Sequence, residues 1–579
     1  MPIEFGFSIS PLSGIFLILL GIAGALAFLY AWGYNAEHRS RLARLWIDVG
    51  SAIFVAAMAA VFVSANVFTF MFAWELMAVV SCLLVVVDHD REDTVTAAVL
   101  YAAITQIASA FLFVALLLMH QYVHSWSFAM FARDGRSLPA LPASLIFGCA
   151  AIGCLTKAGL MPLHVWLPRA HPVAPASVSG LMSGVMIKTA LYVFVLVAFQ
   201  WLRIPSVWWG LAIAAVAAMS ALLGALAATR QDGIKRALAW SSIDNMGLMF
   251  LTLGAGICAA ALRQPQIAGF AVTAALVQAF YHSVFKTGLF HAAGAVMYAT
   301  GTDVMDRLGG LQRRMPAIGL GFLAVLMSLS GLPPFAGFAG EWLMLAALLG
   351  VVSISMHGVV GVVVLACIFV LMATGAATLL SSVRLYGIAF LGAARSTDAS
   401  QSRSVPVSMQ TAVSAAAILT LVSGMAVRAL VTLVDHALPR SLAFSFRQLP
   451  HSVILPVPPA GLLGFFAVSS ALSVAVWGVF HSRRGAARLV RSAPTWTGGG
   501  HRHPTMAWTA RAFAQPPSRT WPWLTVAASH RYLYLPVWNA VSRTSARFRS
   551  LQSGRVQTYL AFLFATVLAV LLVARLGGR

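Results

Sequence analysis

The chain has 579 residues, of which 60% are hydrophobic and only 9% are charged. A soluble protein of this length carries a larger charged surface, so the composition excludes that class and predicts an all-α polytopic membrane protein. The formal net charge is +22, but no nucleic-acid-binding module accompanies it. Basic loops facing an anionic membrane surface explain the charge without a nucleic-acid partner.

Apolar runs long enough to cross a bilayer recur along the whole sequence. They predict about fourteen transmembrane helices, two of which are interrupted by prolines. The predicted spans are 11–33, 48–66, 68–87, 94–119, 144–163, 174–199, 207–228, 235–258, 267–300, 316–353, 359–391, 411–433, 461–480 and 557–575.

Basic residues are unevenly shared between the two sets of loops that these spans define. The set that includes Arg39, Arg41 and Arg44 of the first loop holds thirteen basic residues, and the opposite set holds six. The positive-inside rule therefore places the first loop in the cytoplasm and the N-terminus outside. On this topology residues 483–556 are cytoplasmic. Their interleaved arginines and aromatic residues predict an interfacial helix or a partner-docking segment, with a disordered tail as the alternative.

Lysine is rare in this chain and is placed unusually. Only four of the 38 basic residues are lysines, and Lys157, Lys188 and Lys286 lie inside apolar spans. A lysine at mid-bilayer costs about 2.5–3.5 kcal/mol on insertion scales. Arginine stays charged in proteins, whereas a buried lysine can give up its proton. This placement indicates positions where a proton is bound and released.

Other protonatable residues accompany the lysines in apolar segments. They are Glu75, Glu341, His164, His282 and His291. Together with the three lysines they predict a proton relay across the protein, in which a glutamate controls the proton held by a nearby lysine. The alternative is a set of static ion pairs or of lysines that snorkel to the interface. Asp244 is a weaker candidate that could simply cap a helix or pair with Lys235 or Arg236.

Two spans are interrupted at similar sequences. The first break contains Pro162, and the second contains Pro333 and Pro334. The stretch KAGLMPLH at 157–164 is echoed by SLSGLPPF at 328–335. Similarly interrupted helices in two halves of a chain are typical of transporters built from repeats.

No motif predicts a bound cofactor, a metal ion or a catalytic residue. The five cysteines are scattered through apolar segments and form no CxxC pair. A phosphate-cradling glycine loop, a nucleophile beside its base and an HExxH pattern are all missing from the sequence. We therefore expect transport rather than chemistry on a substrate.

Several stretches together resemble the antiporter-like subunits shared by respiratory complex I, Mrp cation/proton antiporters and membrane-bound group 4 nickel–iron hydrogenases. The stretches look most like component B of hydrogenase 4 and the matching formate hydrogenlyase subunit. They are KAGLMPLHVWLPRAHP at 157–172, LMSGVMIKT at 181–189, DGIKR at 232–236, HSVFKTGLF at 282–290, LGGL at 308–311 and SGLPPFAGF at 330–338. The resemblance covers most of residues 5–435, and parts of the tail also match.

The resemblance implies a role for each buried charge. Glu75 and Lys157 would be the glutamate–lysine pair of the first half-channel, and Lys188 the connecting lysine. Lys286 would be the central lysine and Glu341 the terminal group of the second half-channel. The family fold would be two inverted five-helix repeats.

The implied organisation divides the chain into six regions. These are N-terminal helices at 1–66, half-channels at 67–230 and 231–435, an additional transmembrane region at 436–482, the polar segment at 483–556 and a C-terminal helix at 557–579. The sequence also departs from the family pattern. The match begins about two helices late, Thr497 replaces an acidic residue expected in the tail, and Asn245 stands where relatives often carry histidine.

Three functions remain open from the sequence. The first is a proton-translocating subunit of a redox complex in a bacterial cytoplasmic membrane, with other membrane subunits and peripheral redox subunits as partners and no redox site of its own. The second is a subunit of an Mrp-type Na⁺/H⁺ antiporter. The third is a membrane scaffold or energy-coupling subunit for a soluble partner, with static buried ion pairs.

Overall fold

The fold is taken from a computed structural model, which describes residues 5–36, 40–88 and 92–439 together with a few isolated positions further on. The predicted spans 461–480 and 557–575 and the polar segment 483–556 lie outside the described residues, apart from those isolated positions. Residues 1–514 form one compact unit and residues 515–579 a second one. The description below concerns the first unit.

Fifteen helices form the framework of the described part of this unit. They are α1 (Pro11–Tyr34), α2 (Arg41–Val63), α3 (Val67–Val85), α4 (Glu92–Val123), α5 (Ala140–Ala158), α6 (Leu167–Val173), α7 (Ala176–Trp201), α8 (Val207–Ala228), α9 (Ile234–Ala261), α10 (Pro265–Thr300), α11 (Pro316–Leu329), α12 (Ala336–Ser355), α13 (Val359–Phe390), α14 (Val407–Met425) and α15 (Val427–His436).

Twelve of these helices are long and apolar enough to cross a membrane. They are all of the fifteen except α6, α11 and α15. They correspond one to one with the first twelve predicted spans, although several ends differ by a few residues. The interrupted span predicted at 316–353 consists of the separate helices α11 and α12.

Three helices form the centre of the unit. In their most apolar stretches α7, α9 and α10 are 89–100% buried inside the protein, whereas the other membrane-spanning helices are 33–56% buried. A helix that is apolar on all sides and buried by its neighbours belongs to a core, and a half-buried apolar helix presents its other side to lipid. Polar groups on α7, α9 and α10 are therefore shielded from the bilayer.

The two helix breaks have their freed backbone groups satisfied by protein. At the first break α5 ends at Gly159 in the left-handed conformation, with φ of 79°. The Met161 amide then donates to Ser220 Oγ at 3.0 Å. At the second break Gly331 has φ of 61°, and the Gly337 amide donates to Ser328 Oγ at 3.1 Å. Non-helical backbone at membrane depth requires such partners because lipid offers none.

Helices α8 and α9 pack backbone to backbone. A methyl group on Gly247 of α9 would lie 2.6 Å from the Ala221 amide nitrogen of α8, and one on Gly224 of α8 would lie 2.9 Å from the Asp244 nitrogen. Small residues at such contacts allow helices to approach closely in membranes. The close packing fixes the position of Asp244 inside the protein.

Candidate functional site

Lys157 lies in an aromatic pocket at the end of α5, directly before the first break. Its side chain is 0% exposed. The ammonium nitrogen lies 5.6 Å from the Trp74 ring centroid and 5.8 Å from that of Tyr101. Within the described part of the chain, Lys157 Nζ has no hydrogen-bond partner. Cation–π contacts therefore hold this ammonium group where a fixed ion pair would otherwise be expected.

Glu75 of α3 is half-buried and accepts a hydrogen bond from Gln106 Nε2 at 2.9 Å. It is near enough to Lys157 for an electrostatic interaction. The described residues contain no ion pair within 4.0 Å between the two side chains. The geometry brings them together as neighbours that interact through space.

Lys188 of α7 contacts His282 of α10. Its Nζ lies 2.5 Å from His282 Nδ1 and also donates to the Ser183 carbonyl. A π-helical turn at Met182–Met186 includes this carbonyl, and such turns often mark functional positions. The other ring nitrogen, His282 Nε2, is buried without a partner among the described residues. Nδ1 of the imidazole thus contacts the lysine, and Nε2 is free to bind or release a proton.

A chain of hydrogen bonds leads from Ser183 to Lys286. Ser183 Oγ is 2.8 Å from Ser242 Oγ, which donates to the Leu238 carbonyl at 3.0 Å. Lys286 Nζ donates to the same carbonyl at 3.1 Å and also to Ser241 Oγ. Hydroxyl groups can both give and accept a proton. The serines of α7 and α9 therefore connect the surroundings of two buried lysines.

Asp244 of α9 lies at the centre of the second group of charges, and its interpretation as a helix cap or as a partner of Lys235 or Arg236 is wrong. Its Oδ2 accepts from Thr378 Oγ1 at 3.1 Å, and the carboxylate interacts electrostatically with Lys286. Eight or nine residues of helix separate Asp244 from the two basic residues, about 12–14 Å along the axis. The sequence alone could not reveal that α13 supplies Thr378.

The amide side chains of Asn245 and Gln278 complete this group. Asn245 Nδ2 lies 2.5 Å from Asp244 Oδ1, and Asn245 Oδ1 accepts from Gln278 Nε2 at 3.0 Å. Sequence reasoning did not select Gln278, although a glutamine inside an apolar span is a signal of the same kind as a buried lysine.

Glu341 lies in the second turn of α12, just after the second break. Its side chain is half-buried, and its carboxylate lies against the backbone of Gly331, where a methyl group would overlap Oε2. Glu341 also interacts electrostatically with Asp244. The geometry therefore brings Glu341, Asp244 and Lys286 into one electrostatic group.

The predicted histidines occupy different environments. His164 lies in the first break, with its ring centroid 5.1 Å from that of Trp240. His291 is fully buried and stacks on Tyr30 at 4.3 Å with an interplanar angle of 7°. Within the described residues, neither ring nitrogen of His291 has a hydrogen-bond partner. His282 is therefore the predicted histidine in direct contact with a buried lysine.

His171, which sequence reasoning did not select, is also buried. It belongs to α6 and stacks on Phe290 at 4.7 Å. Both of its ring nitrogens lack partners in the part of the chain that the structure describes, and it interacts electrostatically with Lys188, Lys235 and Lys286. Its position two residues after Arg169, in a stretch that reads as a loop, concealed its burial.

Lys235 is buried as well, although the sequence places it among the thirteen basic residues of the loops assigned to the cytoplasm. Its side chain is 2% exposed, and Nζ donates to the carbonyls of Pro172 at 3.2 Å and Ala174 at 2.6 Å. A cation at the C-terminal end of a helix satisfies carbonyls that have no partner within that helix. Lys235 therefore tethers the end of α6 to α9.

A polar cavity of about 530 Å³ borders this tether. Four charged side chains of both signs line it: Asp93, Arg169, Arg236 and Asp303. Pro172 and Val173, which follow His171 directly, also contribute to its wall. Water in this cavity would come within a few residues of the buried histidine.

Among the described residues, no three His, Cys, Asp or Glu side chains converge in a way that could hold a metal ion. The predicted site residues thus form an array of buried charges and hydrogen bonds. Such an array can bind and pass protons.

Comparison with known proteins agrees with this architecture. Residues 64–369 match the family described as NADH:quinone oxidoreductase/Mrp antiporter, TM. The chain is 33% identical to hydrogenase-4 component B of Escherichia coli over 87% of this chain and 75% of that protein. It is 29% identical to formate hydrogenlyase subunit 3 of the same organism, over 89% of this chain and 80% of that protein. An uncharacterized protein of Mycobacterium tuberculosis is 35% identical over 97% and 92% of the two chains.

Solved structures share the fold. A chain of the membrane-bound sulfane sulfur reductase, an archaeal respiratory membrane complex, superposes with a TM-score of 0.76 at 22% identity, over 98% of this chain and 89% of that one. A chain of the Mrp complex from Dietzia superposes with a TM-score of 0.63 at 20% identity, over 78% and 86%. These relatives are subunits of multisubunit membrane complexes. The resemblance found in the sequence is confirmed: this chain is an integral membrane protein that belongs to the NADH:quinone oxidoreductase/Mrp antiporter family, the antiporter-like subunits of complex I, hydrogenase and Mrp-type complexes.

Proposed function

We propose that this chain is the proton-translocating subunit of a multisubunit redox complex in a bacterial cytoplasmic membrane. Protons would move through Glu75, Lys157, Lys188, Lys286 and Glu341, assisted by buried histidines, while partner subunits transfer electrons. The observation that carries the proposal is the hydrogen-bonded chain through Ser183, Ser242 and the Leu238 carbonyl. It links the surroundings of two lysines that are 0% exposed.

The order of the helices supports two inverted five-helix repeats at 67–230 and 231–435. The first would contain α3, α4, the broken pair α5–α6, α7 and α8, and the second α9, α10, the broken pair α11–α12, α13 and α14. The third member is interrupted in each set. Since five crossings separate equivalent members, equivalent helices would run in opposite directions through the membrane. Lys157 would precede the break of one repeat and Glu341 would follow the break of the other.

Electrostatic coupling would drive the transfer. Asp244 and Lys286 attract one another in a site shielded from water, where such interactions are strong. When a proton neutralises Asp244, Lys286 loses the charge that holds its own proton. That proton would pass to the Ser241 hydroxyl, which contacts Lys286 Nζ, and then through water towards Lys188 and His282. Water is needed because the Leu238 carbonyl only accepts hydrogen bonds from Ser242 and Lys286 and has no proton to pass on. The half-buried Glu341 would be the exchange point of the second half-channel, and Glu75 that of the first.

The proposed topology gives the cavity near His171 a role. Arg169 and Arg236 belong to the basic loops assigned to the cytoplasm, with the N-terminus outside and residues 483–556 inside. Protons would reach His171 from cytoplasmic water through the cavity. His171 would be the first buried titratable group on this route, and its charge would act electrostatically on Lys188 and Lys286.

A redox complex is favoured over a sodium/proton antiporter by sequence. Hydrogenase-4 component B is similar over 87% of the chain at 33% identity. The Mrp complex from Dietzia supports the alternative, an Mrp-type Na⁺/H⁺ antiporter subunit, through a shared fold alone. A static scaffold for a soluble partner is the least supported alternative, since Lys157 Nζ has no hydrogen-bond partner among the described residues.

The test is Lys157→Ala in sealed membrane vesicles that contain the assembled complex. We expect assembly and electron transfer to persist while coupled proton translocation is lost. Normal translocation by this variant would contradict the route. Transport of ²²Na⁺ without any redox substrate would instead support the alternative function, a subunit of an Mrp-type Na⁺/H⁺ antiporter.

A further inference from the structure

A second cavity, of about 730 Å³, lies at the opposite side of the protein from the His171 cavity on the proposed topology. Three arginines line it. Arg136 precedes α5, Arg203 follows α7, and Arg263 joins α9 to α10. Each comes from a different connection at the end of a membrane-spanning helix. The three charges therefore meet at the level of the lipid headgroups.

No acidic side chain lines this cavity, and among the described residues none of the three guanidinium groups has a hydrogen-bond or ion-pair partner. The neighbouring Arg133 differs, because it pairs with Asp134 at 3.4 Å. Below the arginines the wall is apolar and includes Leu138, Ala198 and Phe199. The cavity thus joins an unneutralised basic rim to a surface suited to hydrocarbon.

The backbone at Arg263 provides an independent observation. Arg263 has φ of 60°, in the left-handed region that glycine adopts at helix ends. Its amide donates to the Ala260 carbonyl at 3.0 Å, and the Gln264 amide donates to Ala259 at 2.9 Å, which is the glycine-type helix termination. An arginine is strained there, and glycine would be favoured for the fold alone. The presence of arginine rather than glycine at position 263 therefore indicates that the guanidinium group has a function.

We propose that Arg136, Arg203 and Arg263 bind the phosphate headgroup of an anionic phospholipid of the outer leaflet. The guanidinium groups would donate to the phosphate oxygens in the forked geometry that arginine provides. The acyl chains would leave the cavity past Leu138, while Ala198 and Phe199, which are 0% and 4% exposed, form its inner apolar wall. Basic pockets between membrane helices on the cytoplasmic side recognise anionic lipids by the same chemistry.

The test uses the full-length chain, purified in mild detergent with the subunits that accompany it. Binding of phosphatidylglycerol and cardiolipin is measured by native mass spectrometry and by the rise in unfolding temperature. Each basic residue near an anionic lipid contributes about fivefold in affinity, so R136Q/R203Q/R263G should lose roughly a hundredfold. The control R133Q removes a paired arginine of the same face and should bind as the parent does. Phosphatidylethanolamine should give no rise in either protein.

R263G separates binding from folding. Without lipid it should unfold at a higher temperature than the parent, because glycine accepts the backbone conformation. Phosphatidylglycerol should raise the unfolding temperature of R263G by less than it raises that of the parent. Undiminished phospholipid binding by the triple variant would overturn the proposal. So would an equal rise with inorganic phosphate alone, or the release of an acidic subunit by the triple variant while lipid binding persists.

Discussion

Lys188 Nζ lies 2.5 Å from His282 Nδ1, in a contact that joins α7 to α10 inside a fully buried part of the protein. On the proposed division into repeats, this contact crosses from the first half-channel to the second. Two groups that share one hydrogen bond can exchange a proton when the charge around them changes.

The contact can be tested by comparing His282→Ala with His282→Gln. Glutamine offers an oxygen that can accept from Lys188, but it does not titrate. A relay requires titration, so we expect both variants to lower proton translocation by at least about tenfold. Proton uptake by sealed vesicles is the measurement. If His282→Gln retained the proton translocation that His282→Ala loses, the contact would be a static hydrogen bond.

Asp244→Asn tests the residue that sequence reasoning ranked lowest. The amide retains a partner for Thr378 and removes the charge that acts on Lys286. We expect translocation to fall by at least about tenfold with little change in assembly. Thr378→Val removes one neutral hydrogen bond and should reduce translocation much less. Equal activity of Asp244→Asn and the parent would exclude Asp244 from the route.

His171→Phe separates stability from transport. Phenylalanine retains the stacking on Phe290 and removes two buried nitrogens that lack partners among the described residues. An unsatisfied buried polar group costs about 1–3 kcal/mol, so the unfolding temperature should hold or rise. Translocation should fall because the link to the cytoplasmic cavity is lost. A stable variant with full translocation would assign His171 a packing role.

Gly247→Ala tests the close packing of α8 and α9. The added methyl group would meet the Ala221 backbone at 2.6 Å, and a helix backbone yields less readily than a side chain. We expect a destabilisation of about 1–3 kcal/mol, observed as a lower unfolding temperature in detergent. Gly148→Ala in α5 is the control, since nothing lies within 4 Å of its added methyl group. Similar unfolding temperatures for the two variants would contradict this packing.

Much of the fold was predictable from sequence because lipid imposes strong rules. A helix must be apolar over about twenty residues to cross a bilayer, so twelve predicted spans match helices α1–α14 with the breaks included. A charge in such a run is conspicuous, so Lys157, Lys188 and Lys286 stand out from the sequence alone. The predicted crossings after residue 439 and the polar segment 483–556 remain predictions.

The rest of the site depends on which helices meet. Asp244 and Gln278 acquire their place through partners on α13 and α9, and hydrophobic pattern does not encode those pairs. Lys235 and His171 lie near helix ends, where the sequence predicts exposed loops. Their burial follows from the folding of α6 back against α9. Interhelical contacts of this kind require a three-dimensional structure.

The central claim is that a lysine inside this protein releases its proton during transport. Lys286→Arg tests it most directly, because arginine retains the charge and the donors but does not release a proton. Lys235→Arg is the matched control, since its partners are carbonyls to which arginine can also donate. The measurement is the number of protons translocated per electron by the assembled complex in sealed vesicles. We predict that this ratio falls sharply for Lys286→Arg and stays near the parent value for Lys235→Arg. An unchanged ratio in Lys286→Arg would contradict the account and assign Lys286 a purely electrostatic role.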